Sequence, residues 1–254
     1  MIYIVTGANY GDEGKGNIVS YLAKQKQGET VVIRHNGGSQ AQHRVVHDGK
    51  EFIFGHIGSG ALTNANTYLS KYFISNPLIL KKEHDAFVSK FGKQPYVSVN
   101  GLSRVSTIYD MMYNQLNSNM RKHGTCGLGI RATIERNEVI PLYIKDLSYS
   151  FSDSEVSRIL RNIKIYYVNR LIHEGLDCKI IDEHFQKLDP NRHAQELVMF
   201  CRETINKVVR DDKEWNYLDG YNDIIFEGAQ GLLLSQENFG SYPHVTPSTV
   251  GIKN

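Results

Sequence analysis

The stretch Ile2-Tyr3-Ile4-Val5-Thr6-Gly7-Ala8-Asn9-Tyr10-Gly11-Asp12-Glu13-Gly14-Lys15-Gly16-Asn17 decides the fold. A short apolar, β-branched run ends at Thr6 and a glycine-rich turn follows. Ile18-Val19-Ser20-Tyr21-Leu22-Ala23 then reads as a helix with Ile18, Val19 and Leu22 on one face. Strand, glycine loop and helix is the context in which backbone N–H groups and a helix N-terminus hold phosphate. The glycines let the backbone approach an anion closely, and Lys15 stands where its ammonium can reach the outer phosphates.

The ordinary phosphate-loop signature, G-x-x-x-x-G-K-[ST], is only partly met. Asn9 stands where its first glycine belongs, and Gly16 where its hydroxyl belongs. The carboxylates Asp12 and Glu13 lie inside the loop instead. An acid beside phosphates is repulsive unless it holds a metal ion or takes a proton, which makes Asp12 a candidate for either task. A solvated turn is the plain alternative for a lone glycine-rich loop; the strand before it and the acid within it argue against that.

Outward from this loop, Thr30-Val31-Val32-Ile33-Arg34-His35 reads as a second buried strand leading into Asn36-Gly37-Gly38-Ser39-Gln40-Ala41-Gln42-His43-Arg44. If the two strands are neighbours in a parallel sheet, His43 lies beside the first loop, outside the carboxyl ends where such sheets bind ligands. Val45-Val46-His47, Asp48-Gly49 and Phe52-Ile53-Phe54 predict a hairpin. Asn76 and Pro77 start a helix running to about Lys90, with Phe91-Gly92 ending it. Tyr96-Val97-Ser98-Val99 predicts a strand and Val105 to about Asn117 a helix. Gly124-Thr125-Cys126-Gly127-Leu128-Gly129-Ile130 is a third glycine-rich loop. Residues 152–175, and about Arg192 to Arg210, read as long amphipathic helices. A late buried strand, Asp223-Ile224-Ile225-Phe226, delivers Glu227-Gly228-Ala229-Gln230-Gly231. The expected fold is α/β, a mostly parallel central sheet with flanking helices and P-loop-like nucleotide binding, residues 1–254 forming a single domain.

With 254 residues, 41% hydrophobic and 22% charged, the chain can bury a sizeable core. A net charge of +2 gives no general attraction to nucleic acid or to a membrane, and neither is an expected partner. Cys126, Cys178 and Cys201 are far apart and show no metal spacing, which reads as reduced thiols. The sequence has no apolar run of about 18 residues to span a membrane, and its start leads directly into a strand without a signal-type region. The cytoplasm is the expected compartment.

Gly11-Asp12-Glu13-Gly14-Lys15-Gly16 resembles the signature of the adenylosuccinate synthetase family, which joins IMP and aspartate using GTP. Three more segments are similar. The family follows its second strand with Gly-Gly-x-x-x-x-His, the spacing of Gly37-Gly38 and His43. Its Gly-Thr-Thr-Gly-Arg-Gly-Ile-Gly segment, which contacts the 5′-phosphate of IMP, is matched at Thr125, Cys126 and Gly127, with Leu128 replacing the arginine and Arg131 the last glycine. Phe226 to Gly231, and Gly240-Ser241-Tyr242-Pro243-His244-Val245-Thr246, resemble its Phe-Glu-Gly-Ala-Gln-Gly and Gly-Thr-Tyr-Pro-Tyr-Val-Thr segments.

The resemblance implies roles. Asp12 would take the purine N1 proton, His43 would be the general acid, and Lys15 would spread charge on the transferring phosphoryl group. Gly11, Glu13, Gly14, Lys15, Gly16, Asn17, Gln40, Thr125 and Cys126 would bind nucleotide, with Gln230 on the purine and Thr246 on the monophosphate. Asp12 and the carbonyl of Gln42, where the family has glycine, would hold Mg²⁺. The implied partners are an IMP-like purine nucleoside monophosphate, GTP as co-substrate and aspartate. The family is dimeric, one subunit reaching into the other's site, but the arginine expected to do so has no clear match here.

Departures qualify the match. Gln40 replaces Asn, Asn17 replaces Lys, Ser20 replaces an acid, and Glu51 falls near a usual lysine. Loss of both members of a charge pair suggests a changed base pocket and an acceptor purine other than IMP. Asp12 is kept, unlike in the phage branch that makes 2-aminoadenylosuccinate, where serine replaces it. Family members continue past Thr246 with the aspartate-binding loop and the guanine pocket, so the chain is expected to lack the family's C-terminal portion. Two other readings stay open: a sensor or regulatory paralogue that binds purine nucleotides without ligase activity, and a different P-loop phosphotransferase or NTPase sharing only the loops.

Overall fold

The computed structural model describes residues 1–26, 28–117, 125–242 and 244–251; Gly124 and Pro243 of the expected loops lie outside the described residues. Eight strands occur among the described residues: β1 (Ile2–Gly7), β2 (Thr30–Arg34), β3 (His43–His47), β4 (Lys50–Phe54), β5 (Asn66–Leu69), β6 (Val97–Asn100), β7 (Lys207–Val209) and β8 (Asp223–Gly231). Six of them form one sheet in the order β1-β8-β2-β5-β6-β7, and every pairing in it is parallel. β2 is buried at all its positions, as expected of a parallel strand covered on both faces. β3 and β4 form the expected hairpin, turning at Asp48 and Gly49 with φ of 48° and 75°. Two positive φ values give the turn a twist that matches its strands.

β1 and β2 are not neighbours in the sheet. β8 runs between them, pairing Glu227 with Val5 on one side and with Arg34 on the other. Because all pairings are parallel, the loops after β1, β2 and β8 still leave the same edge of the sheet.

α1 (Lys15–Lys24) packs Val19 and Ala23 onto Val5, Val32 and Ile225. Ile18, expected on that face, is 48% exposed: Val19 and Ala23 lie one turn apart against the sheet, and the residue before Val19 points off that line. In α2 (Pro77–Phe91) the Asn76 side chain accepts the N–H groups of Leu78 and Ile79, and Gly92 ends the helix at φ 66°. α3 (Ile108–Leu116) starts later than expected, where Thr107 and Asp110 cap each other reciprocally. α4 (Ile130–Asn137) follows the third glycine loop, and α5 (Asp153–His173) opens on a Ser152–Glu155 capping box. α6 (Cys178–Phe185), α7 (Pro190–Thr204) and α8 (Glu214–Leu218) complete the α-helices among the described residues. α7 stops well short of Arg210. Lys207 to Val209 instead pair with Ser98, Val99 and Asn100 at the sheet edge, where β-branched residues gain more than they would in a helix tail. The main core lies between the β5–β6 half of the sheet and the helices, and includes Leu69, Phe87, Val99, Tyr109, Leu160 and Leu197. No helix among the described residues is long and apolar enough to cross a membrane.

Candidate functional site

The loops after β1, β2 and β8 meet at the carboxyl edge of the sheet. Gly11 has φ 113°, and a Cβ there would lie 3.0 Å from the backbone nitrogen of Gly231, so the first loop packs backbone to backbone on the last. Gly16 accounts for the missing phosphate-loop hydroxyl. A Cβ on it would lie 2.8 Å from the Cβ of His43, so α1 begins directly against the second loop, leaving no room for serine or threonine.

A cavity of about 400 Å³ is lined by Gly11, Asp12, Gly14, Lys15, Gly16, Asn17, Gln42 and His43. The first two loops therefore bring the expected base, cation and acid to one space. Glu13 is not among the lining residues: its carboxylate turns back into its own loop and accepts the Asn9 N–H at 2.5 Å. Lys15 is buried, and its Nζ donates to the Gly11 carbonyl at 2.6 Å. Burial lowers its pKa, opposed by the pull of Glu13 and Glu227. The exposed Asp12 side chain has no hydrogen bond or ion pair among the described residues.

Sequence reasoning missed the group that holds His43. Its Nδ1 lies 2.5 Å from the carboxylate of Glu227, which is fully buried at the centre of the sheet. That carboxylate also accepts the Ser59 backbone N–H at 3.0 Å and the Ser59 hydroxyl. Burial pushes the Glu227 carboxyl up, but the charges of His43 and Arg34 and the hydrogen bonds from His43 and Ser59 outweigh it, bringing it down to about 2. An ionised carboxylate accepts, so Nδ1 carries a proton, and Nε2, buried without a protein partner, is the ring atom left for a ligand. The available signal was an acid ending an apolar strand.

The donors fit Mg²⁺. No group of three or more His, Cys, Asp or Glu side chains suited to a metal occurs among the described residues. Mg²⁺, however, is commonly held by one or two carboxylates with phosphate oxygens and water. Asp12 offers an uncommitted carboxylate, and Gln42 lines the same cavity.

A second cavity, of about 620 Å³, gathers Gln40, Thr125, Cys126, Gln230 and Thr246. The second loop thus serves both cavities, Gln40 facing one and Gln42 with His43 facing the other. The side-chain oxygens of Gln40 and Gln230 are buried without a partner. The wall also takes in Tyr113, Arg131, Glu135 and Arg170 from the helices, and Glu174 just past the end of α5, none of them among the site residues expected from the sequence.

The parallel sheet, its glycine loops at one edge and the lysine at the start of α1 define an α/β protein with a P-loop-like first turn. The chain belongs to the adenylosuccinate synthetase family, whose family model matches residues 4–254. It is 31% identical to the adenylosuccinate synthetase of Prochlorococcus marinus strain AS9601 over 256 residues, covering 96% of this chain and 54% of that protein. The Borrelia turicatae adenylosuccinate synthetase is 27% identical, with 97% of this chain and 55% of that protein covered. The chain spans about half the length of the curated relatives it matches. Among solved structures, a fully ligated adenylosuccinate synthetase from Plasmodium falciparum superposes with a TM-score of 0.69 at 21% identity, over 99% of this chain and 56% of that one. The succinoaminodeoxyadenylate synthetase of cyanophage S-2L, bound to dGMP and dATP, superposes with a TM-score of 0.61 at 17% identity, over 98% of this chain and 56% of that one. At these identities the likeness is one of fold.

Proposed function

We propose that the chain carries the phosphoryl-transfer site of a GTP-dependent ligase that joins aspartate to an IMP-like purine nucleoside monophosphate, acting in the cytoplasm as a homodimer. The observation supporting this is the convergence of Asp12, Lys15 and His43 on one cavity, beside a second cavity holding Gln40, Thr125, Gln230 and Thr246. Asp12 takes the N1 proton of the purine, and the 6-oxygen attacks the γ-phosphorus of GTP as GDP leaves. His43, held through Nδ1–H by the Glu227 carboxylate, acts in its doubly protonated form and donates from Nε2–H to the charge developing on the transferring oxygens. Lys15 leaves the Gly11 carbonyl to meet the phosphates. Asp12 and the Gln42 carbonyl would hold Mg²⁺, whose charge offsets that of the phosphoryl group. The amine of aspartate then bonds to C6, and phosphate departs with the former 6-oxygen.

The test is product mass spectrometry on the chain with GTP, Mg²⁺, aspartate and a panel of purine monophosphates. A succinylated nucleotide is expected, reduced by roughly 10²- to 10⁴-fold in Asp12→Asn with nucleotide binding retained. Wild-type turnover in that variant removes Asp12 from the role of base. Both nucleotides bound without product leaves a binding protein that does not ligate.

A further inference from the structure

The second cavity contains two arginines in different situations. Arg170 is engaged on every side: Nη1 lies 2.9 Å from Glu135, Nε lies 3.1 Å from Glu174, and the guanidinium sits 4.8 Å over the ring of Tyr113. Glu174 is further held by the Tyr113 hydroxyl and the Asn117 amide, each at 2.7 Å. Arg131 lines the same cavity, and its side chain has no hydrogen bond or ion pair among the described residues. Arg170 and its two carboxylates leave one negative charge in excess, and Arg131 cancels it. Without Arg131 the wall would repel a dianion; with it, the wall offers one uncommitted guanidinium, whose planar fork suits phosphate oxygens. The unpartnered amide oxygens of Gln40 and Gln230 are acceptors suited to the N–H edge of a purine. The sequence resemblance puts glycine at the position of Arg131 and arginine at that of Leu128, so the cation stands at a different place on this loop.

We propose that Arg131 binds the phosphate monoester of the nucleotide in this cavity. The proposal rests on the reading of the cavity as a purine monophosphate site. The test is titration calorimetry of IMP, AMP, GMP and inosine with the wild-type chain, Arg131→Gln and Arg131→Lys. Arg131→Gln is expected to weaken IMP binding about 10- to 100-fold, Arg131→Lys to recover part of it, and inosine binding to be the same in all three. Equal IMP affinity in wild type and Arg131→Gln overturns the proposal and leaves the cavity reading standing. A wild-type chain that takes none of the monophosphates overturns both.

Discussion

Burial alone would favour the neutral form of Glu227, yet the charges of His43 and Arg34 and the hydrogen bonds it accepts hold the carboxyl at about 2 against an ordinary 4.5. A folded-state value below the unfolded one means that the ionised carboxylate stabilises the fold fully above about pH 4.5, and that this contribution is lost as pH falls through about 2. Its size is on the order of a few kcal/mol. Glu227→Gln should therefore lower stability at neutral pH and flatten the acid limb of the stability curve between those values, as read by urea titrations at several pH values. An acid limb as steep in the variant as in wild type would assign that limb to other carboxylates. Asp12, Lys15 and His43 stood out in the sequence because glycine spacing marks the loops that carry them. Glu227 did not, because its tie to His43 spans 184 positions and depends on β8 entering between β1 and β2.

Between elements, a buried polar knot fastens α3, α4 and α5 beneath the third glycine loop. Arg136 on α4 meets both oxygens of Asp110 on α3 at 3.1 Å, and the Tyr167 hydroxyl on α5 donates to Asp110 at 2.7 Å. Both charges are fully buried. Removing one member strands the other, so Arg136→Ala is expected to cost about 3–5 kcal/mol in denaturant unfolding. Tyr167→Phe should cost about 1 kcal/mol. A loss below about 0.5 kcal/mol for Arg136→Ala would mean that water reaches Asp110. Elements with local punctuation were legible in the sequence: the hairpin through Asp48-Gly49, α2 through Asn76, Pro77 and Gly92, and α5 through its amphipathic spacing. β5 and β7 were not, being four and three residues long and defined by partners distant in sequence. The true end of α7 was hidden for the same reason.

Over the whole molecule, the covering of the sheet is uneven. β1 pairs only with β8 among the described strands, and on the face away from α1 its Ile2 and Ile4 are 63% and 49% exposed. An edge strand with open backbone groups and apolar side chains invites another strand. Ile4→Lys is therefore expected to reduce light scattering of concentrated samples on warming, while changing unfolding free energy by less than about 0.5 kcal/mol. Scattering equal to wild type would place the association surface elsewhere.

The position of β8 also sets an order of events during synthesis. β1 and β2 leave the ribosome early, but the strand that must lie between them, and that brings the carboxylate holding His43, is made about 220 residues after β1. At ordinary translation rates that is a delay of roughly ten to forty seconds. Throughout it, β1 has no strand partner, and the first glycine loop lacks the Gln230–Gly231 backbone it packs against. The glycine loop after β1 is thus made about 220 residues ahead of the strand it packs on, and is among the last parts of the sheet edge to take its final shape.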